Sequence, residues 1–441
     1  MKPVGAEIRK RGTGGARSWA VSMAATAVTL MLVGCAGGVG QSNSGSEGGG
    51  EGFSYGASQS EVNELINDLE PVTLVYQAEA ASPNAISAPS AVAFKEEVEQ
   101  RSNGQITIEI AWGQSIAGYT EVVDALSDGR VDIAIVIPLY EPSRFPAYDD
   151  FSVMSHYAPA SPMTGELAAA GMIAEQGWSQ SGLIEEIEDN GMYPLTPFLG
   201  SGDYYFFCNE NNQNNQLIDW NGRQVRSNTT LHQAAVSNLG VTPVSLEYGE
   251  TFEALQRNTV DCTLQQAMTS SAGGTPEVAP YVSYQTGKSF GNRSASGYMA
   301  GASWATLPLA YQQILFDAEP AMHGEWMAAV IGAAGTAIDQ VRDAGGDVQP
   351  LPEDVQEKIA ESQAESAAEA ADTGMLGDDP QQQAQELADK WEGVVSGLGY
   401  EDGGDISDVD EWYIADEMDF GPMAEKIFEE VSLPHRPGSA A

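Results

Sequence analysis

Asp219–Gln265 reads DWNGRQVRSNTTLHQAAVSNLGVTPVSLEYGETFEALQRNTVDCTLQ, and the fold class follows from it. Asn221-Gly222 is a turn dipeptide, and Gln224-Val225-Arg226 leaves it extended. Asn228, Thr229 and Thr230 offer N-cap side chains, after which Leu231, Ala234, Ala235 and Leu239 recur at helical spacing. Gly240 ends that helix, because a residue without Cβ takes the left-handed C′ conformation at little cost. A second strand, a second helix and a third short strand beginning near Val260 complete the block. Strand–helix–strand–helix–strand predicts a parallel α/β unit, and such sheets bind ligands beyond the carboxyl ends of their strands. Arg226 stands where its strand stops, a place for a guanidinium to meet an anion.

The same block resembles the solute-binding proteins of tripartite ATP-independent periplasmic (TRAP) transporters, of the DctP type. Their pattern runs D-x-x-G-x-x-x-R, a helix, G-x-x-P, a turn with E-x-x-x-A-L-Q, then V-D. Asp219, Gly222, Arg226, Gly240, Pro243, Glu250, Ala254-Leu255-Gln256 and Val260-Asp261 fill those places. A looser likeness spans residues 72–396 and includes the helix–turn–strand wording of Ala125–Asp132. The resemblance implies an α/β, two-lobe, periplasmic-binding-protein-like fold with a hinge, an interlobe cleft and C-terminal helices. It places lobe I in residues 71–196 and 286–330. Lobe II with its packing helices takes 197–285 and 331–399, and 400–441 is an acidic C-terminal extension.

The rest of the chain agrees. Its 441 residues suffice for two lobes, and 19 positive against 63 negative side chains give a formal net charge of −44. That acidity excludes nucleic acid and anionic membrane surfaces as partners, both of which need a basic footprint. Lys2, Arg9, Lys10, Arg11 and Arg17 precede an apolar run from Trp19 to Val33, too short for a typical membrane span. The run ends in Leu32-Val33-Gly34-Cys35, which looks like a bacterial lipobox, with 1–34 removed and Cys35 acylated. The alternative is an ordinary signal peptide with a chance cysteine. Residues 35–70, rich at first in Gly, Ser and Glu, read as a flexible tether. The protein is thus expected at the extracytoplasmic face of the plasma membrane, held by a lipid. Cys208 and Cys262 are the other cysteines, and their strand-like surroundings leave a disulfide or two buried thiols equally open.

Strands are expected at Val72–Tyr76, Gln105–Trp112, Val131–Ile137 and Tyr193–Phe198. Helices are expected at Ala91–Gln100, Tyr119–Asp128, Ser161–Ile187, Gly324–Ala344, and residues 352–371 and 380–396. Pro422–Val431 reads as a short amphipathic helix packing on the body.

The chemistry centres on Arg226. A guanidinium presents parallel N–H donors to a carboxylate's two oxygens, which a lysine cannot copy. The resemblance makes Arg226 the carboxylate clamp; the competing arrangement pairs it with one of the chain's many acidic side chains. Gln265 occupies the place of an amide that bonds the ligand, and Tyr248 that of an aromatic cover. Glu79, Gln114, Tyr119 and Tyr140 follow strand ends or begin helices of lobe I and are candidates from that side. Tyr204-Tyr205-Phe206-Phe207 is a core cluster from which a minority of rings lines the cleft. Where some relatives carry a second arginine this chain places Phe206, and small residues Ala300 or Gly301 stand where an asparagine is common. The pocket is therefore expected to be less polar, holding a monocarboxylate with an apolar or aromatic body.

Catalysis finds little support. His156, His232, His323 and His435 stand far apart, no Cys/His spacing suggests a metal, and no Walker loop or G-x-S-x-G elbow occurs. His232 reads as a surface or capping residue, Gly291-Asn292-Arg293 as turn chemistry and Glu185-Glu186 as a solvated helix face. No cofactor or enzyme activity is expected. The function implied is capture of a small organic acid and its delivery to the membrane subunits of a TRAP permease. The rivals are a binding protein of an ATP-driven importer and a cell-surface enzyme or sensor module.

Overall fold

The computed structural model describes residues 50–210, 216–293 and 296–439. Cys35, its leader and the first part of the tether lie outside them. Eleven strands occur among the described residues: β1 (Val72–Gln77), β2 (Ile106–Ala111), β3 (Ile133–Val136), β4 (Tyr193–Leu199), β5 (Tyr204–Cys208), β6 (Gln224–Arg226), β7 (Thr242–Val244), β8 (Cys262–Gln266), β9 (Tyr281–Tyr284), β10 (Ser296–Ala300) and β11 (Asp347–Pro350). They form two sheets, ordered β2-β1-β3-β10-β4 and β11-β9-β5-β8-β6-β7. The block expected to be parallel is so: β6 runs parallel to both β7 and β8. Its first helix, Thr230–Asn238, is capped by the Thr229 hydroxyl, which accepts the His232 N–H at 3.3 Å. Gly240 follows it at φ +76°, the left-handed stop.

The central strands of each mixed sheet, β3 and β10 in one and β5 and β8 in the other, are buried on both faces, while edge strands such as β2 are buried on one. All four β3 residues are buried, and the alternate residues Ile106 and Ile108 of β2 join Leu74, Phe94 and Val98 in one core. In the second lobe, Phe206, Trp220, Val225, Val236 and Leu264 form another. The helix Thr164–Trp178 is lined with small residues, so the helix Pro380–Gly397 comes in closely. Trp391 lies over Gly171, where a Cβ would meet its ring at 2.2 Å.

The chain passes between lobes at Gly200–Asp203, between β9 and β10, and along the helix Glu319–Asp343. That helix begins earlier than its apolar periodicity suggests, because Pro320 is suited to a first turn. It packs on the helix Ala88–Arg101 of the first lobe and on Ala267–Ala272 and Thr275–Val278 of the second. Where the first two passages meet, the Arg293 side chain, 0% exposed, pairs with Glu166 and donates to Pro159 O at 2.8 Å. Glu166 also accepts the Asp203 N–H at 2.9 Å, and Asp203 accepts from Ser289 Oγ (2.8 Å) and Phe290 N (3.0 Å). Gly291-Asn292-Arg293 is therefore the centre of a buried polar junction rather than a simple turn.

Two further expectations need correction. The tether does not reach residue 70: Gln59–Ile66 is a helix with a Ser58/Glu61 capping box, and Val62 and Ile66 bury into the first core. The Glu186 carboxylate is half-buried and accepts the Ala147 and Tyr148 N–H groups, capping the helix Pro146–Met154 instead of facing only water. The acidic segment beyond residue 400 packs on the body through Phe420, Met423, Ile427 and Phe428. Arg436 there makes two hydrogen bonds to Asp317, at 2.6 and 2.8 Å.

Cys208 and Cys262 face each other across the antiparallel β5/β8 ladder and are joined by a disulfide closing a separation of 54 residues. Removing both sulfurs (Cys208→Ala with Cys262→Ala) is expected to lower stability by about 2–4 kcal/mol in urea unfolding, chiefly by freeing the unfolded chain. Arg293→Met is expected to cost about 3–5 kcal/mol by the same measurement, since it strands a buried carboxylate, and adding Glu166→Gln should restore part of the loss.

Candidate functional site

The carboxyl ends of the parallel strands of both sheets face one cavity of about 450 Å³, within the usual range for small-molecule sites. From the first lobe, Glu79 follows β1, Gln114 follows β2 and Tyr140 follows β3, with Tyr119 beside it. From the second, Arg226 ends β6, Tyr248 follows β7 and Gln265 lies near the end of β8. Seven of the eight expected site residues are thus brought together. The eighth, Phe206, is not: two residues deeper along β5 than Tyr204, it packs against Trp220 (4.5 Å between ring centroids) and Phe290 (5.3 Å). Tyr204, at the mouth of the strand, lines the cavity instead.

Arg226 is 6% exposed, and its Nε donates to Leu246 O at 3.2 Å. Asn228 holds the same residue, donating to Leu246 O at 2.7 Å and accepting the Leu246 N–H at 3.2 Å. Asn228 therefore serves the loop rather than capping the helix, and the loop carries Tyr248, whose hydroxyl donates to Thr269 O at 2.6 Å. The Tyr140 hydroxyl shares the cavity wall with this guanidinium and acts on its charge. Among the described residues no carboxylate comes within ion-pair distance of Arg226, although burial, opposed by Tyr140, Tyr204 and Glu247, pulls its pKa down. A desolvated cation with free donors is a strong anchor for an anion.

The other polar groups are similarly poised. Gln265 is 2% exposed; its Oε1 accepts from Thr263 Oγ1 at 3.2 Å, while its Nε2 has no partner among the described residues. Glu79 Oε2, Gln114 Nε2 and Gln340 Oε1 are likewise buried and unpartnered. Burial pushes the Glu79 carboxyl up, opposed by a hydrogen bond from Ser87. Tyr119 and Tyr140 meet edge to face, 6.0 Å between centroids. His232 also lines the cavity and is not a surface residue: it is 1% exposed, lies 3.3 Å from Gly291 O through Nε2, and has Tyr204 against its ring. Burial pushes it down to about 3, so it is neutral at physiological pH. Thr336 and Gln340 reach the cavity from the interlobe helix, and nothing local in their sequence marks them. Among the described residues no group of three or more His, Cys, Asp or Glu side chains is placed to hold a metal ion, and no helix is long and apolar enough to cross a membrane.

Known structures share this fold. A solute-binding protein from Rhodoferax ferrireducens, solved with copurified benzoate, aligns over 74% of this chain and 99% of its own, at 19% identity and a TM-score of 0.60. The periplasmic ectoine-binding protein of Halomonas elongata aligns over 74% and 100%, at 18% and 0.58. One from Anaerococcus prevotii, with bound glucuronate, aligns over 72% and 99%, at 15% and 0.60. At such identities the likeness establishes the two-lobe fold. No curated protein matches the chain in sequence. The model of the DctP family, bacterial extracellular solute-binding protein family 7, matches residues 77–373, and the chain belongs to that family.

Proposed function

We propose that this protein captures a small organic acid outside the cytoplasm and delivers it to a TRAP-type permease. The observation that carries this reading is Arg226: a buried guanidinium on the cavity wall with donors that no carboxylate of the described residues uses. A ligand carboxylate would complete its hydrogen bonding, with Gln265 Nε2 as a neutral second donor and Tyr140, Tyr204 and Tyr248 supplying ring surface. Because Arg226 and Glu79 stand on different lobes, a ligand touching both binds the closed arrangement better than the open one and so drives closure. The chemistry ends there. The site binds and releases, and the protein acts as a receptor rather than an enzyme. The leader ending at Cys35 supports a lipid anchor that keeps the receptor beside its permease.

Arg226→Ala is expected to weaken binding of the native acid by about 2–5 kcal/mol, roughly 30- to 3000-fold, by isothermal titration calorimetry. Arg226→Lys should recover only part of that, since one ammonium cannot reproduce the paired donors. An Arg226→Ala protein that binds the acid as wild type does would remove the clamp from this account.

A further inference from the structure

Among the described residues, the cavity wall holds one formal cation, Arg226, and one carboxylate, Glu79. They come from opposite lobes, Arg226 from the end of β6 and Glu79 from just beyond β1. Glu79 is not engaged by a basic side chain among the described residues: its Oε2 is buried without a partner, and Ser87 is the group that opposes the effect of its burial. A plain carboxylate bound at Arg226 would use up the only positive charge and leave Glu79 as an unbalanced buried anion. Glu79 could escape that cost by holding a proton, toward which its burial pushes it. Its surroundings suit a different partner. Glu79 shares the cavity wall with Tyr119 and Tyr248, and after burial its charge is what raises both hydroxyls most. A carboxylate beside two tyrosine rings is a receptor for a protonated nitrogen, which gains a charge-assisted hydrogen bond and the negative faces of the rings together.

We propose that the ligand is a zwitterion, whose carboxylate is held by Arg226 and whose protonated nitrogen is held by Glu79 between Tyr119 and Tyr248. This rests on the carboxylate reading of Arg226 and narrows it: the cleft selects amino- or imino-acids over plain acids of the same shape. Bridging two fixed opposite charges also sets the spacing of the ligand's poles, so that isomers differing only in the position of nitrogen are told apart. The apolar body expected from the sequence then lies between the poles.

The test is a matched panel titrated into the full chain by calorimetry at neutral pH. Cyclohexanecarboxylate is compared with the isomeric piperidine-carboxylates, and butyrate with the isomeric aminobutyrates. At least one nitrogen-bearing member is expected to bind about 10- to 100-fold tighter than its plain counterpart. In Glu79→Gln that preference should collapse through weaker binding of the nitrogen-bearing member, with the plain acid bound as well as before or better. Plain acids that bind as tightly as all their nitrogen counterparts overturn the proposal, as does a preference that persists in Glu79→Gln. The two readings fail separately. Arg226→Ala binding both members of a pair as wild type does defeats the carboxylate clamp, whereas the role of Glu79 is judged only by the difference within each pair.

Discussion

The buried pair of Arg293 and Glu166 is the constraint on which the two-lobe arrangement depends. It sits where two of the three passages between lobes touch, and it ties together segments far apart in sequence: the helix Thr164–Trp178, the Gly200–Asp203 crossing and the return toward β10. Ser201 donates through both its backbone N–H and its hydroxyl to Arg293 O, each at 2.7 Å, so the crossings are joined by backbone as well as side chain. Gln266, at the end of β8 and on the cavity wall, donates to Ser201 Oγ at 2.6 Å. The junction and the cavity are thus neighbours in one hydrogen-bonded system. Such a network is costly when partly satisfied and specific when complete, which makes it a fixed pivot about which the lobes are arranged.

From that pivot the site follows by topology. Parallel strands in both sheets point their carboxyl ends at the same space, and the residue just past each strand end is the one that reaches it. Arg226, Tyr248 and Gln265 arrive from one side, and Glu79, Gln114 and Tyr140 from the other. The interlobe helix closes a further wall with Thr336 and Gln340. Glu79, Gln114, Gln265 and Gln340 each bring a buried polar atom without a partner to this wall, where a solute can supply what the fold withholds.

Much of this was legible in the amino-acid order because local and tertiary preferences agree over the Asp219–Gln265 block. The Asn221-Gly222 turn, the Thr229 cap and the Gly240 stop each do locally what the sheet demands globally. Site residues adjoining strand ends were legible for the same reason. Phe206 was not, since four consecutive aromatics do not say which ring stands at the mouth of a strand and which lies deeper. His232 misled because a polar residue early in a helix ordinarily faces water, and only the packing of Tyr204 and Gly291 buries it. Arg293 was hidden by its turn-like neighbours, and Gln340 by the long helix around it. Both owe their roles to contacts with residues more than 100 positions away or to a helix laid across two lobes. The ordered helix Gln59–Ile66 follows a glycine-rich run whose composition masked the Ser58/Glu61 signature.

The bond between Cys208 and Cys262 joins adjacent strands of a single sheet, and neither cysteine belongs to a passage between lobes. It therefore acts as a staple inside one rigid body and places no limit on the angle that body makes with the other. Oxidation stiffens the platform carrying Arg226 and Gln265 while leaving the opening and shutting of the receptor mechanically free.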